Sequence, residues 1–142
     1  MIVPDLNLLV YAYNEAAPGH GPARRWCQGL MSREPPVGLP WVVVFGFVRL
    51  VTHPAVLVAP LAPAAAMARV RSWTRRDHVR RLEPGPRHLD IVEELFAVTA
   101  VGGNLTTDTH LAALVIEHQA ELHTNDADFL RFPGLRHHNP LR

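Results

Sequence analysis

The chain has 142 residues, 48% apolar and 19% charged, with a formal net charge of +1. That suits one domain with a sizeable core. All fourteen basic residues are Arg, so a phosphate-binding loop, a phospho-acceptor receiver site and Schiff-base chemistry, each needing a lysine amine, are excluded. No apolar run nears the roughly 20 residues of a membrane span. The amino terminus lacks the pattern of a signal peptide, and Cys27 has no partner for a disulfide, so the expectation is a cytoplasmic chain with no membrane partner.

Ile2 and Val3 read as a short buried strand, which Pro4 keeps extended. Asp5 then opens an apolar stretch, Leu6 to Tyr13, dense enough for a buried helix. A second helix is expected from about His20 to Leu30, with Ala23, Trp26, Cys27 and Leu30 on its apolar side, and Pro35-Pro36 ends it. The run Leu39 to Thr52 has strand propensity throughout, but Pro40 suits a first helical turn, so the run reads as a buried helix. A helix from Pro63 to Arg75 follows, then a strand, Val79 to Leu82. His88 to Thr99 reads as amphipathic, with Leu89, Val92, Leu95 and Phe96 inward. Thr107 suits the cap of a helix starting near Asp108, and Glu121 to Thr124 reads as a strand ahead of Asn125-Asp126-Ala127-Asp128. Phe132 to Leu135 reads as a loop with a polar tail after it. Strands alternating with helices predict an α/β fold with a parallel sheet, a single domain over residues 1–142.

Four aspartates, Asp5, Asp108, Asp126 and Asp128, fall at the ends of apolar runs. In open α/β sheets, sites form at the carboxyl ends of strands, and neighbouring strands lie about 4.8 Å apart. If the strands ahead of Asp5 and Asp126 are neighbours, these carboxylates share one pocket, where their repulsion calls for a hard cation such as Mg²⁺ or Mn²⁺. Taken alone, Asp5 fits a helix N-cap equally well, and Asp-x-Asp is common in solvated loops. An extended backbone would put Asp126 and Asp128 on one side; a turn would decouple them. The nine histidines show no zinc-ligand spacing, and neither His110 nor His123 is assigned as a general base. Cys27 reads as a small buried hydrophobe.

Asp5-Leu6-Asn7-Leu8-Leu9 resembles the opening motif of PIN-domain ribonucleases. Thr107 to Leu114 and Leu122 to Phe129 resemble their carboxy-terminal half. Phe129 to Leu135 and Pro86-Arg87-His88-Leu89 resemble the VapC toxin branch. The resemblance spans nearly the whole chain and implies a PIN-like three-layer fold, a central parallel sheet flanked by helices. It also implies a Mg²⁺-dependent endoribonuclease, with Mn²⁺ as substitute, acting as the toxin of a type II pair. A VapB-type antitoxin, an RNA substrate and a homodimer come with that reading. By the resemblance, Asp5 and Asp108 bind metal, Asp126 completes the catalytic cluster, Asp128 stands nearby, and Asn7 and Thr124 orient carboxylates. One departure matters: Gly46 stands where the family usually has Glu, which makes a second metal doubtful and leaves open a weakened domain that binds antitoxin or RNA without efficient cleavage.

Arg69, Arg71, Arg75, Arg76, Arg80, Arg81 and Arg87 concentrate positive charge in mid-chain, enough for several phosphate contacts. Arg75, Arg76, Arg80 and Arg81, with Arg49 one turn from Gly46, are the RNA-binding candidates. A solvated helix face explains the same cluster without RNA. Trp73 shares spacing with Met67 and Val70 and reads as core. A phosphatase or DNA nuclease using the same carboxylates is the rival enzyme class.

Overall fold

A computed structural model describes residues 1–32 and 35–142. Five strands, β1 (Ile2–Pro4), β2 (Val37–Pro40), β3 (Val79–Leu82), β4 (Glu121–His123) and β5 (His137–His138), form one sheet in the order β3-β2-β1-β4-β5. Every pairing is parallel. Six helices flank it: α1 (Leu6–Tyr13), α2 (His20–Ser32), α3 (Trp41–Val51), α4 (Pro63–Thr74), α5 (His88–Thr99) and α6 (Thr106–Glu117). Helices α1 to α4 pack against one another, and α5 packs on α6.

The central strand is short because of its sequence. Pro4 has no N–H to give the ladder, and β1 registers with β2 only at Ile2–Val37, whereas with β4 it runs from Ile2–Glu121 to Pro4–His123. Asp5 N–H extends that second ladder by donating to His123 carbonyl at 2.9 Å. Parallel strands buried on both faces carry near-continuous apolar side chains: Val3, Val37, Leu39 and Leu122 are fully buried. Phe47, Phe129, Leu8, Leu9 and Leu114 fill the space between sheet and helices.

Several sequence expectations are corrected here. The apolar run predicted as one helix from Leu39 divides: Leu39 and Pro40 belong to β2, and Pro40 is the N-cap position of α3 rather than part of its first turn. Strand β2 escapes notice because it contains a Gly and a Pro. A Cβ at Gly38 would meet Met1 Sδ at 2.9 Å and Leu82 Cδ2 at 3.3 Å, so those side chains pack closely over it. The tail is not simply polar loop: β5 pairs with β4 through Leu122–His137 and His123–His138. Helix α6 starts at Thr106 with Leu105 as its N-cap position, so Thr107 is not its cap. In α5 Leu95 is buried and Val92 packs against the core as expected, but His88 and Ile91 are the other inward residues and Leu89 is 73% exposed. On that face His88 Nε2 lies 2.8 Å from His110 Nδ1 of α6, beside the buried Ile91 and Leu95.

Candidate metal centre

Strands β1 and β4 are neighbours, so the residues following each meet at one edge of the sheet. Asp5 leaves β1 nearly buried, at 5% exposure. Thr124 follows β4, and its Oγ1 donates to Asp5 Oδ2 at 2.7 Å while accepting from Asp126 N–H at 3.0 Å. A hydroxyl has one proton. Because the Asp126 amide occupies an acceptor site, that proton is directed at Asp5. Thr124 thus ties the β1 acid to the loop carrying the next two.

That loop is a 3-10 turn over Ala127–Arg131, with Asp126 at its N-cap accepting from Asp128 N–H at 2.9 Å. The turn does not decouple the pair. Asp108, in the first turn of α6, joins them: Asp108, Asp126 and Asp128 each offer an oxygen, all within 4.8 Å of one another. Asp128, half exposed, also pairs with Arg131 at 3.1 Å, a surface contact of little energetic weight.

Asp5, Asp108 and Asp126 line a cleft of about 280 Å³ with Leu6, Asn7, Val42, Val43, Arg49, Asn104, Thr107 and Leu111. Burial pushes Asp5 up to about 6, against the Thr124 hydrogen bond and the Leu6 and Asn7 amides, with Asp126's charge adding to the rise. Asp108 also rises to about 6, first through burial and then through the charges of Asp5, Asp126 and Asp128. Carboxylates that raise one another's pKa are poorly compensated, which is the electrostatic condition a divalent cation relieves. The donor set is all hard oxygen, which fits Mg²⁺ or Mn²⁺ and not a thiol- or imidazole-seeking ion.

Of the cations singled out in the sequence, only Arg49 lines this cleft; it is exposed and has no ion-pair partner among the described residues. Arg75 follows α4, Arg76 lines a different groove, and Arg80 and Arg81 project from the edge strand β3. Asn7 lines the cleft, with no side-chain hydrogen bond among the described residues. Gly46 does not line it: a Cβ there would meet Leu6 Cδ2 at 2.8 Å, so this glycine lets α1 pack closely on α3. Val42, Val43, Asn104 and Leu111 complete the walls and were not singled out in the sequence. Finding β2 would have pointed to the first two, which follow its carboxyl end.

The histidines stand outside the cluster. Trp26 Nε1 donates to His123 Nδ1 at 3.0 Å and His123 Nε2 faces Glu121 at 3.1 Å, fixing a neutral ring. Burial lowers the His123 pKa despite Glu121, and burial with His88 lowers that of His110. Cys27 is buried, which pushes its thiol up to about 11, and it acts as a small apolar residue.

A parallel sheet with carboxylates gathered at its carboxyl edge defines a class, and the PIN domain model matches residues 2–135. The chain belongs to the PIN-domain family, in its VapC branch. It is 44% identical over 142 residues to Ribonuclease VapC33 of Mycobacterium tuberculosis, covering 100% of this chain and 99% of the relative. Ribonuclease VapC37 of the same organism is 38% identical over 140 residues, covering 99% and 97%. Among solved structures, the fold is shared with VapBC2 of Rickettsia felis bound to a promoter DNA fragment, at TM-score 0.67 and 19% identity over 98% of each chain. It is also shared with the Mycobacterium tuberculosis toxin VapC20, which cleaves the sarcin-ricin loop, at TM-score 0.64 and 19% identity over 96% and 99%.

Proposed function

We propose that this chain is a divalent-metal-dependent endoribonuclease, the toxin of a type II toxin–antitoxin pair, hydrolysing RNA phosphodiester bonds in the carboxylate cleft. The observation that carries the reading is the convergence of four aspartates from three chain segments, with Arg49 on the same cleft wall. Full-length similarity to proteins named ribonucleases supports the substrate class. Asp5, Asp108 and Asp126 would hold Mg²⁺ or Mn²⁺, with Asp128 adding an oxygen. When bound, the cation supplies charge neutralisation and Lewis acidity toward a phosphoryl oxygen.

The chain's own groups do the rest. Thr124 holds Asp5 in place through one short hydrogen bond, so the acid's orientation does not depend on solvent. Arg49 provides a guanidinium fork for a phosphate. Protonation near pH 6 removes Asp5 and Asp108 as anions, so cleavage should rise as pH climbs through that value. A VapB-type antitoxin is the expected partner, since solved relatives include VapBC complexes. Its carboxy-terminal segment would cover the cleft, and the toxin would dimerise.

The test is RNA cleavage by the purified, partner-free chain with Mn²⁺ or Mg²⁺ and with EDTA, beside DNA and a phosphate monoester. Metal-dependent cutting of RNA alone is expected; DNA or monoester turnover at equal rates would move the chain to the rival class. A second reading, a weakened nuclease, draws on one observation. Helix α3 offers the cleft Val42, Val43 and Arg49 but no carboxylate. Calorimetric titration with Mn²⁺ giving one weak site and no cleavage would favour it.

A further inference from the structure

We propose that Trp41 and Phe45 form a stacking platform for an unpaired base of single-stranded RNA, beside the carboxylate cleft. The inference rests on the ribonuclease reading and names how its substrate is held. Trp41 opens α3 immediately after β2, and Phe45 lies one turn on. Their rings stack, with centroids 5.8 Å apart and planes 28° from parallel. Both stay in solvent, at 41% and 56% exposure, and they are the only aromatic residues among the exposed large hydrophobics of the described chain. The inner face of the same helix, Val43, Val44, Phe47 and Val51, satisfies the core without them.

Their placement on the helix points at the cleft. At 3.6 residues per turn, Phe45 stands about 40° around α3 from Arg49 and about 60° from Val42. Both of those residues line the acidic cleft, so the aromatic stripe continues its wall. The Arg81 guanidinium lies over the Trp41 ring, 5.5 Å from its centroid. Trp41 thus contacts both Phe45 and the Arg81 guanidinium, and Phe45 is the more exposed of the two rings.

The charge distinguishes the occupant. Arg49 and Arg81 have no carboxylate partner among the described residues. An apolar protein surface laid over this stripe would crowd guanidinium groups without neutralising them. A polynucleotide brings both complements: phosphates for the cations and a flat base for the ring. Such stacking tolerates any base, so the platform would hold the strand without choosing the cleavage sequence.

The test measures affinity in EDTA, where nothing is cut, using an oligouridylate and an abasic strand of equal length with the same ribose-phosphate backbone. Phe45→Ala should weaken oligouridylate binding roughly fivefold to a hundredfold and leave the abasic strand unaffected. Phe45→Trp should keep wild-type affinity. Equal affinity of Phe45→Ala for oligouridylate, or an equal loss on both strands, overturns the platform. A changed sedimentation coefficient of the RNA-free Phe45→Ala chain also overturns it, marking the stripe as an interface between copies. A wild-type chain that cuts RNA as well as Phe45→Ala does defeats only the platform; a wild-type chain that neither binds nor cuts RNA defeats the ribonuclease reading too.

Discussion

Two concavities of the described residues differ in character, and the larger of the two is not where the chemistry gathers. The groove between α1, α2 and α4 has a volume of about 520 Å³, against about 280 Å³ for the carboxylate cleft. Its walls are Tyr13, Cys27, Met31, Leu61 and Trp73, with Arg24, Arg69 and Arg76 around them and Glu15 as the single acid among the described residues. Arg69 lies over the Tyr13 ring at 5.5 Å, so that cation is engaged in packing. The cleft instead collects three carboxylates and an unpaired Arg49. Groove size follows how helices happen to pack; chemistry follows the carboxyl edge of the sheet, where distant segments end side by side.

That contrast can be broken most directly by mutation. Asp108→Asn should reduce metal-dependent RNA cleavage by at least about a hundredfold, while Arg69→Ala and Arg76→Ala in the larger groove leave the partner-free rate unchanged. Parallel rate measurements decide it, and loss of activity from the groove variants would reverse the assignment of roles.

A pH series sharpens the electrostatic half of the comparison. Asp5 and Asp108 stand at about 6 in the folded chain against an ordinary 3.8. Folded protein therefore keeps protons that unfolded protein has released between about pH 4 and pH 6, so metal-free stability falls as pH rises through that window. For buried Asp5 the difference corresponds to roughly 3 kcal/mol; for the more exposed Asp108, solvent screening makes it smaller. Thermal melts in EDTA should show the decline, Asp5→Asn should flatten it, and added Mn²⁺ should restore stability at the upper end. A melting temperature that climbs through the window would contradict it.

Smaller effects test how the cleft is held. Thr124→Val removes the donor to Asp5 and the acceptor for the Asp126 amide, at a cost of about 1–3 kcal/mol. Cleavage should drop roughly tenfold to a hundredfold, and denaturant titration beside kinetics separates the two consequences. Gly46→Ala should change stability least. Contact with Leu6 opposes a helix-propensity gain of about 1 kcal/mol, so the net change stays within about that size. Combining it with Leu6→Ala removes the contact and should expose the propensity gain against the Leu6→Ala background. Equal stability changes in both backgrounds would remove the packing explanation of this glycine.

The outcome for particular residues shows what a linear chain can carry. The α/β alternation, the buried helix after Asp5, the core role of Trp73 and the four aspartates at element ends were all legible, because apolar periodicity and breaker residues act over a few positions. Leu89 falls on the outer face: two helix phases both offer apolar residues, and the packing that buries Ile91 and Leu95 with His88 is tertiary. Strand β5 was invisible, since two exposed histidines have no apolar pattern and become a strand only by pairing with β4.

At the cleft the division is the same. The sequence by itself determined which groups were available: hard oxygens at strand ends, arginines instead of lysines, and one buried thiol. Tertiary structure decided which of them meet. Pairing of β1 with β4 brought Asp5 under the Thr124 hydroxyl, the 3-10 turn brought Asp128 to Asp126 and Asp108, and the placement of α3 after β2 brought Arg49 to the cleft. Those distances depend on strand order and helix packing, which join segments as far apart as Asp5 and Thr124 and leave no local trace in either.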